Sequence, residues 1–265
     1  MKIKGVMHVH STYSYDGKES LQSLRDFLIK QGVQFCCLTE HTDKMTIEQA
    51  QLFVQECKTL SGSQFLFIPG YEVPYKKAHI LLLGAEVFLG QFADATMLQT
   101  WSSKSALTIL AHPVRNSFKI DEVMEGVLDG IEIWNQQYEG KYVPRIRSCR
   151  LFFKVSAKNP NLLATGGLDF HRKEHFGAPL YSLELEHLTQ EGVLSALKKG
   201  EYTFGNDSVS VHSSGYFEGK GGFNNIALSS LSVAVIVAGK KTNALLAYFG
   251  IRLPKSITKL IRSKV

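Results

Sequence analysis

Short apolar runs alternating with one-faced amphipathic stretches constrain this chain more than any other feature. Runs at 3–10, 34–39, 65–72, 78–85, 107–112, 130–134, 162–167 and 180–185 have the length and composition of buried strands. Between them, 19–31, 46–60, 95–105, 143–158 and 189–199 read as helices. In the first of these, Leu21, Leu24 and Leu28 make a single apolar stripe, and Gly32 follows as a stop. Strand and helix in alternation argue for a mainly parallel α/β sheet, and this many units favours a closed or nearly closed barrel over an open sheet. At 265 residues with 44% hydrophobic content, the chain can bury a sizeable core.

The ends of those strands carry the chemistry. His8, His10, His41, His79, His112 and His171 fall at, just past or beside strand ends, and Asp16, Glu72 and Asp169 share such positions. In a parallel barrel the C-terminal strand ends converge on one face, where active sites form. His8 and His10 are two apart, so a regular pleat points both the same way. Asp169 and His171 repeat that spacing after Gly166 and Gly167, which let backbones approach closely. Imidazoles and carboxylates with no cysteine partner suit Zn, Mn or Fe. Each motif alone has a plainer reading: "AHP" at 111–113 as a turn, Glu72 on an exposed edge, His79 as a satisfied core residue. The remaining histidines, His175, His187 and His212, read as surface or loop residues, and the combination of the other six is what points to metal.

Charge is unevenly spread. Residues 219–265 hold eight Lys/Arg and no acid, while the first 218 hold 22 basic and 24 acidic residues. The basic character therefore belongs to the tail, and arguments about partners are confined to it. "GYFEGKGGFNN" at 215–225 reads as a linker or long loop, which divides the chain into a catalytic barrel at 1–214 and a basic, apolar tail at 215–265. The apolar run after the linker is too short and serine-rich for a membrane span. Leu253, Ile257, Leu260 and Ile261 make a stripe flanked by Lys255, Lys259, Arg262 and Lys264. That pattern fits attachment to an anionic membrane surface, or packing on the barrel or on a second copy of the chain. There is no dedicated nucleic-acid-binding motif, although a basic tail attracts any polyanion. Cys36, Cys37, Cys57 and Cys149 have no paired spacing and read as reduced thiols. No long apolar stretch follows Met1, so no secretory leader is expected. The expected location is the cytoplasm, with the tail allowing a peripheral place at the membrane.

The motifs "HVHSTYSYDG", "LTEHTD", "GYE", "LAHP" and "GLDFH" occur in the order and spacing of the PHP (polymerase and histidinol phosphatase) domain, which the chain resembles over about residues 1–205. The resemblance implies a distorted (β/α)7 barrel with two or three divalent metal ions at the C-terminal ends of its strands. It implies His8, His10, Glu72 and Asp169 around one ion, and Glu72 as a bridge to a second with His79 and His112. Asp16, His41 and His171 fall around a third. Glu40 departs from the family's usual Asp and is expected to tune the site from outside the ligand set.

Three divalent ions against three carboxylates leave such a site net positive, so it favours an anionic substrate. The expected activity is hydrolysis of a phosphate ester, on a small molecule or nucleotide, by in-line attack of metal-held hydroxide with no covalent enzyme intermediate. Asp169 or a neighbouring histidine such as His171 is placed to move the leaving-group proton, and the sequence does not choose between them. Arg115 in "HPVRN" is a candidate phosphate ligand, with Arg172 a second. Arg145, Arg147 and Arg150 are expected on a helix. Loop 135–144 is expected at the substrate mouth, with Trp134, Tyr138 or Tyr142 available to stack on a ring. Two other functions remain open: a 5′–3′ exonuclease or nucleotidase on short oligonucleotides, and a non-catalytic binding module held together by metal.

Overall fold

Strand pairing follows chain order almost throughout, and this brings the strand ends together. The computed structural model describes residues 1–140 and 143–218, all within one compact unit. The first half runs β1 (Lys2–Val9), α1 (Leu21–Lys30), β2 (Phe35–Leu38), β3 (Glu40–His41), α2 (Ile47–Leu60), β4 (Leu66–Ile68), β5 (Gly70–Tyr75), β6 (Ala78–Leu83) and α3 (Ala95–Lys104). The second runs β7 (Leu107–Ala111), α4 (Glu122–Val127), β8 (Gly130–Asn135), α5 (Ile146–Ser156), β9 (Leu163–Gly167), β10 (Leu180–Glu184), α6 (Gln190–Lys199), β11 (Tyr202–Gly205), β12 (Ser210–His212) and β13 (Phe217–Glu218).

β4 and β5 divide the run expected at 65–72, interrupted at Pro69, and β5 continues to Tyr75; β3 lies just past the run expected at 34–39, separated from β2 by Thr39. β1, β2 and β4 pair in parallel, as do β3 with β5 and β7, β8 and β9 in turn. Beyond β9, Leu168 N–H donates to Met7 O (3.0 Å), Phe170 N–H to His8 O (3.1 Å) and His10 N–H to Phe170 O (2.8 Å). Those bonds return the pairing to β1. The fold is mixed α/β with mainly parallel strands from β1 to β9, in two sheets that these bonds and the continuous β2/β3 and β4/β5 segments connect.

Two departures from the sequence expectation matter. β6 runs antiparallel to both β5 and β7, because only Lys76 and Lys77 separate it from β5, too few residues for a parallel crossover. β10, expected as one more stave, instead pairs antiparallel with the first half of β1 and starts an antiparallel extension through β11, β12 and β13. β11 to β13 are two to four residues long, below the length at which alternation can be read. Phe217–Glu218 of the glycine-rich stretch is thus a paired strand; residues 219–265, with the whole basic tail, lie outside the described residues.

The helices are fixed locally before they pack. Ser20, Asp94, Asp121 and Thr189 each accept a backbone N–H with the side chain at a helix start, and Thr46 forms a capping box with Gln49. Gly32 has φ +73°, the left-handed conformation expected of a residue that ends a helix. The stripe Leu21, Leu24 and Leu28 is fully buried. All four cysteines are buried and free. No helix among the described residues is long and apolar enough to cross a membrane.

Two leucines on facing helices test this packing. Leu24 is 0% exposed and Leu52 is 63% exposed. Leu24→Ala is expected to cost about 2–5 kcal/mol in urea unfolding, and Leu52→Ala no more than about 0.5 kcal/mol. Equal effects would contradict the assigned burial.

Candidate metal centre

Irregular backbone delivers the side chains. His8 is the extra residue of a bulge, where the register with β2 shifts between Met7 and Val9, and it has φ +62°. The regular pleat expected to align His8 and His10 is therefore not what aligns them; the bulge re-aims His8. His112 (φ +25°) and Asp169 (φ +51°) also hold left-handed conformations that non-glycine residues rarely adopt. Asp169 lies past the end of β9, not in it. His79 reaches the same face from the start of β6 because that strand is reversed. The register Glu72 to Leu81 and Pro74 to His79 makes Glu72 and His79 diagonal neighbours.

Glu72 is the hub. Its Oε2 lies 3.0 Å from His8 Nε2, 3.2 Å from His10 Nε2 and 3.6 Å from His41 Nδ1. Its Oε1 lies 3.0 Å from His112 Nε2 and is also in contact with His79 Nδ1. Asp169 Oδ1 is 3.6 Å from both His8 Nε2 and His10 Nε2. Asp16 Oδ2 stands 3.3 Å from His171 Nε2 and 3.6 Å from His41 Nε2. All nine residues expected at the site thus meet one another in space. The tightest donor sets are His8, His10, Glu72 and Asp169; His41, Glu72 and His79; and His10, His41 and His171. His41 also stands beside Glu72 and His79, and His10 beside His41 and His171, in addition to the His112 and Asp16 that the resemblance implies there.

A surrounding layer of hydrogen bonds sets the histidine tautomers. Glu132 Oε1 lies 2.8 Å from His8 Nδ1, and Glu132 Oε2 accepts the backbone N–H of His112 (2.8 Å) and Asn135 Nδ2 (3.0 Å). His8 then carries a proton on Nδ1, and its Nε2 faces Glu72 and Asp169. Ser14 donates its hydroxyl proton to Glu40. Its oxygen is left to accept from His41 N–H (2.9 Å) and His10 Nδ1 (3.2 Å), which frees His10 Nε2. His171 Nδ1 donates to the carbonyl of Asp169 (2.9 Å) and frees its own Nε2 toward Asp16.

Electrostatics follow the same pattern. Burial opposes the charged form of His8, but Glu132, Asp169 and Glu72 outweigh it and hold its pKa well above the usual value. Burial and then the neighbouring His41 push His10 well below. Burial works against ionised Glu72, yet His8 and His41 hold its pKa well below the carboxylate range. Burial lifts Glu40 to about 7 despite its bonds from Ser14 and Ser11. His10 Nε2, His112 Nδ1, Asp16 Oδ1 and Asp169 Oδ2 are buried polar atoms with no hydrogen-bond partner. Unpartnered buried acceptors crowded together are costly unless a cation neutralises them. Six imidazoles and three carboxylates with no thiolate make a donor set that fits divalent ions.

Close approach explains two glycines. A Cβ on Gly167 would fall 2.0 Å from Glu132 Oε1 and 2.7 Å from His8 Cβ. One on Gly17 would fall 1.9 Å from Ser11 O, so only glycine lets the Asp16 loop fold back.

Above the cluster lies an open cleft of about 420 Å³, with Lys18, Arg115, Arg172, Tyr15, Tyr138 and His175 on its walls. Arg115 sits 5.7 Å from the Tyr138 ring centroid, and Arg172 Nε donates to His175 Nε2 (3.0 Å). His175, read from sequence as a loop or surface residue, therefore belongs to the cleft wall. Trp134 is a core residue whose Nε1 donates to Gly140 O. Arg145 and Arg147, at the start of α5, face Phe118, 5.7 and 4.8 Å from its ring centroid. His187 is exposed, and His212 Nε2 is 3.1 Å from Glu218 at the surface. Tyr142 lies outside the described residues.

Sequence reading missed Glu132, Ser14 and Asn135. One signal existed: Glu132 is the lone charge in the apolar run "GIEIWN". Glu132→Gln keeps the volume and weakens the hold on His8. It is expected to lower metal affinity about 10–100-fold in chelator competition; unchanged affinity would remove the orienting role.

Residues 7–229 match the PHP domain family. No curated protein matches the chain. Among solved structures, PsfC from Pseudomonas syringae is similar at 14% identity and a TM-score of 0.54, over 73% of this chain and 88% of that one. A provisionally assigned metal-dependent phosphoesterase from Bifidobacterium adolescentis is similar at 14% identity and a TM-score of 0.48, over 73% and 96%. An amidohydrolase from Chromobacterium violaceum, with bound sulfate and no metal, follows at 14% identity and 0.45, over 68% and 91%.

Proposed function

The chain belongs to the PHP domain family, and on that premise we propose that it is a metal-dependent phosphoesterase acting on a phosphorylated small molecule or nucleotide. The observation that carries this reading is the pairing of a buried nitrogen and oxygen donor cluster with a cleft whose rim holds Lys18, Arg115 and Arg172. A cationic rim over metal-binding residues suits a dianionic phosphate better than a neutral amide. Two or three divalent ions of the Zn, Mn or Fe type, held by His8, His10, Asp16, His41, Glu72, His79, His112, Asp169 and His171, would supply an activated water and offset phosphate charge.

The chain's own residues do the rest. Arg115 and Arg172 bind phosphate oxygens, and Lys18 adds a third positive charge. Asp169 Oδ2, buried and without a partner, is the atom that exchanges a proton with the leaving group, with His171 beside it. The Ser14 hydroxyl donates to Glu40, the Ser11 hydroxyl oxygen accepts the backbone N–H of Tyr13, and all four cysteines are buried. Among the described residues no serine, threonine or cysteine lines the cleft, which supports direct hydrolysis without a covalent enzyme intermediate.

A panel of phosphoesters tests the proposal on metal-loaded protein. Turnover of p-nitrophenyl phosphate is expected, and Asp169→Ala is expected to abolish it. Arg115→Ala is expected to raise KM about 10–100-fold with a smaller change in kcat, the signature of lost phosphate binding. Activity on 5′-phosphorylated dinucleotides alone would favour the exonuclease reading. Activity retained in Asp169→Ala would overturn the assigned site.

A further inference from the structure

We propose that Glu139 is a positioning residue that holds the Arg115 loop against Tyr138 and so fixes the phosphate-binding wall of the cleft. This role rests on the phosphoesterase reading above. Glu139 is buried, 3% exposed, and is not one of the nine candidate metal ligands. Its Oε1 accepts the backbone N–H of Val114 at 2.9 Å, one residue before Arg115. Its Oε2 accepts the hydroxyl of Ser148, a fully buried residue on α5. Its backbone N–H donates to Asn135 O at 2.8 Å, while Asn135 Oδ1 accepts the N–H of Gln137 (3.0 Å) and Tyr138 (3.1 Å). One carboxylate thus joins the loop that carries Arg115, the turn that carries Tyr138, and a core helix.

The loop after β7 needs such a clamp. His112, Ser117 and Phe118 all have positive φ (+25°, +59° and +61°), conformations that persist only where surrounding contacts impose them. Arg145 closes the same seam from outside: its Nη1 donates to Tyr138 O at 3.3 Å while its guanidinium faces Phe118. Where the two segments meet at the cleft, Arg115 lies over the Tyr138 ring. Loss of the Glu139 carboxylate strips the Val114 N–H of its acceptor and frees the strained loop, and Arg115 is no longer pre-set for a phosphate.

The test compares wild type, E139A, E139Q, R115A and the E139A/R115A double variant. Two readouts are used: inorganic phosphate titrated calorimetrically into manganese-loaded protein, and hydrogen exchange of the 112–118 backbone. E139A is expected to weaken phosphate binding about 10-fold, as R115A does, with the double variant no weaker than R115A. Exchange in 112–118 is expected to speed up in E139A. E139Q, whose amide oxygen still accepts from Val114, is expected to stay near wild type in both readouts. Additive losses in the double variant, or unchanged exchange in E139A, would overturn the positioning role. If wild type binds no phosphate, the phosphoesterase reading loses its support, while the exchange comparison still decides what Glu139 does. Should E139A fail to fold, Ser148→Ala, which releases the same carboxylate from α5, is judged by the same two readouts.

Discussion

Everything in this structure is arranged around one buried carboxylate. Glu72 is 0% exposed and faces five imidazoles, those of His8, His10, His41, His79 and His112. An ionised carboxylate taken from water into a protein interior costs several kcal/mol unless it is fully partnered. Protonated histidines supply part of that partnership; divalent cations supply it better, because the same imidazoles can then bind as neutral ligands. The five histidines come from β1 and the residue after it, the end of β3, β6 and the residue after β7, so the charge balance of Glu72 depends on all of these elements together.

The segments that carry the site are strained, and the strain lies at the cluster. His8, His112 and Asp169 occupy left-handed backbone conformations that the surrounding structure must over-determine. Glu132 accounts for much of that support, since it binds the His8 ring and the His112 backbone at once. Glu40 and Ser14 do the same for His10 and His41. Metal chemistry and strand-end geometry thus share the same hydrogen bonds, and a substitution in the surrounding layer is felt in both.

Much of the site was legible in the sequence, for a physical reason. Ligands at strand ends must interrupt apolar runs with polar residues, so His8, His10, His41, His112 and Asp169 stand out against their neighbours. Glu72 was readable from "GYE". What could not be read depends on tertiary context. The bulge that re-aims His8 leaves no mark in residue type. The reversal of β6, by which His79 comes to lie beside Glu72, depends on the shortness of the Lys76–Lys77 turn. Glu132 is hidden because the two site residues it binds, His8 and His112, lie in other parts of the chain. His175 reaches the cleft only because a short 3-10 helix, Lys173–His175, follows the last motif.

Metal content measured by inductively coupled plasma mass spectrometry tests the central claim most directly. The protein and its Glu72→Ala variant are dialysed side by side against the same trace-metal buffer and compared for equal folding by circular dichroism. Wild type is expected to retain more than one divalent ion per chain, and Glu72→Ala to lose most of that content. Equal metal content in the two folded proteins, or none in wild type, would contradict the account.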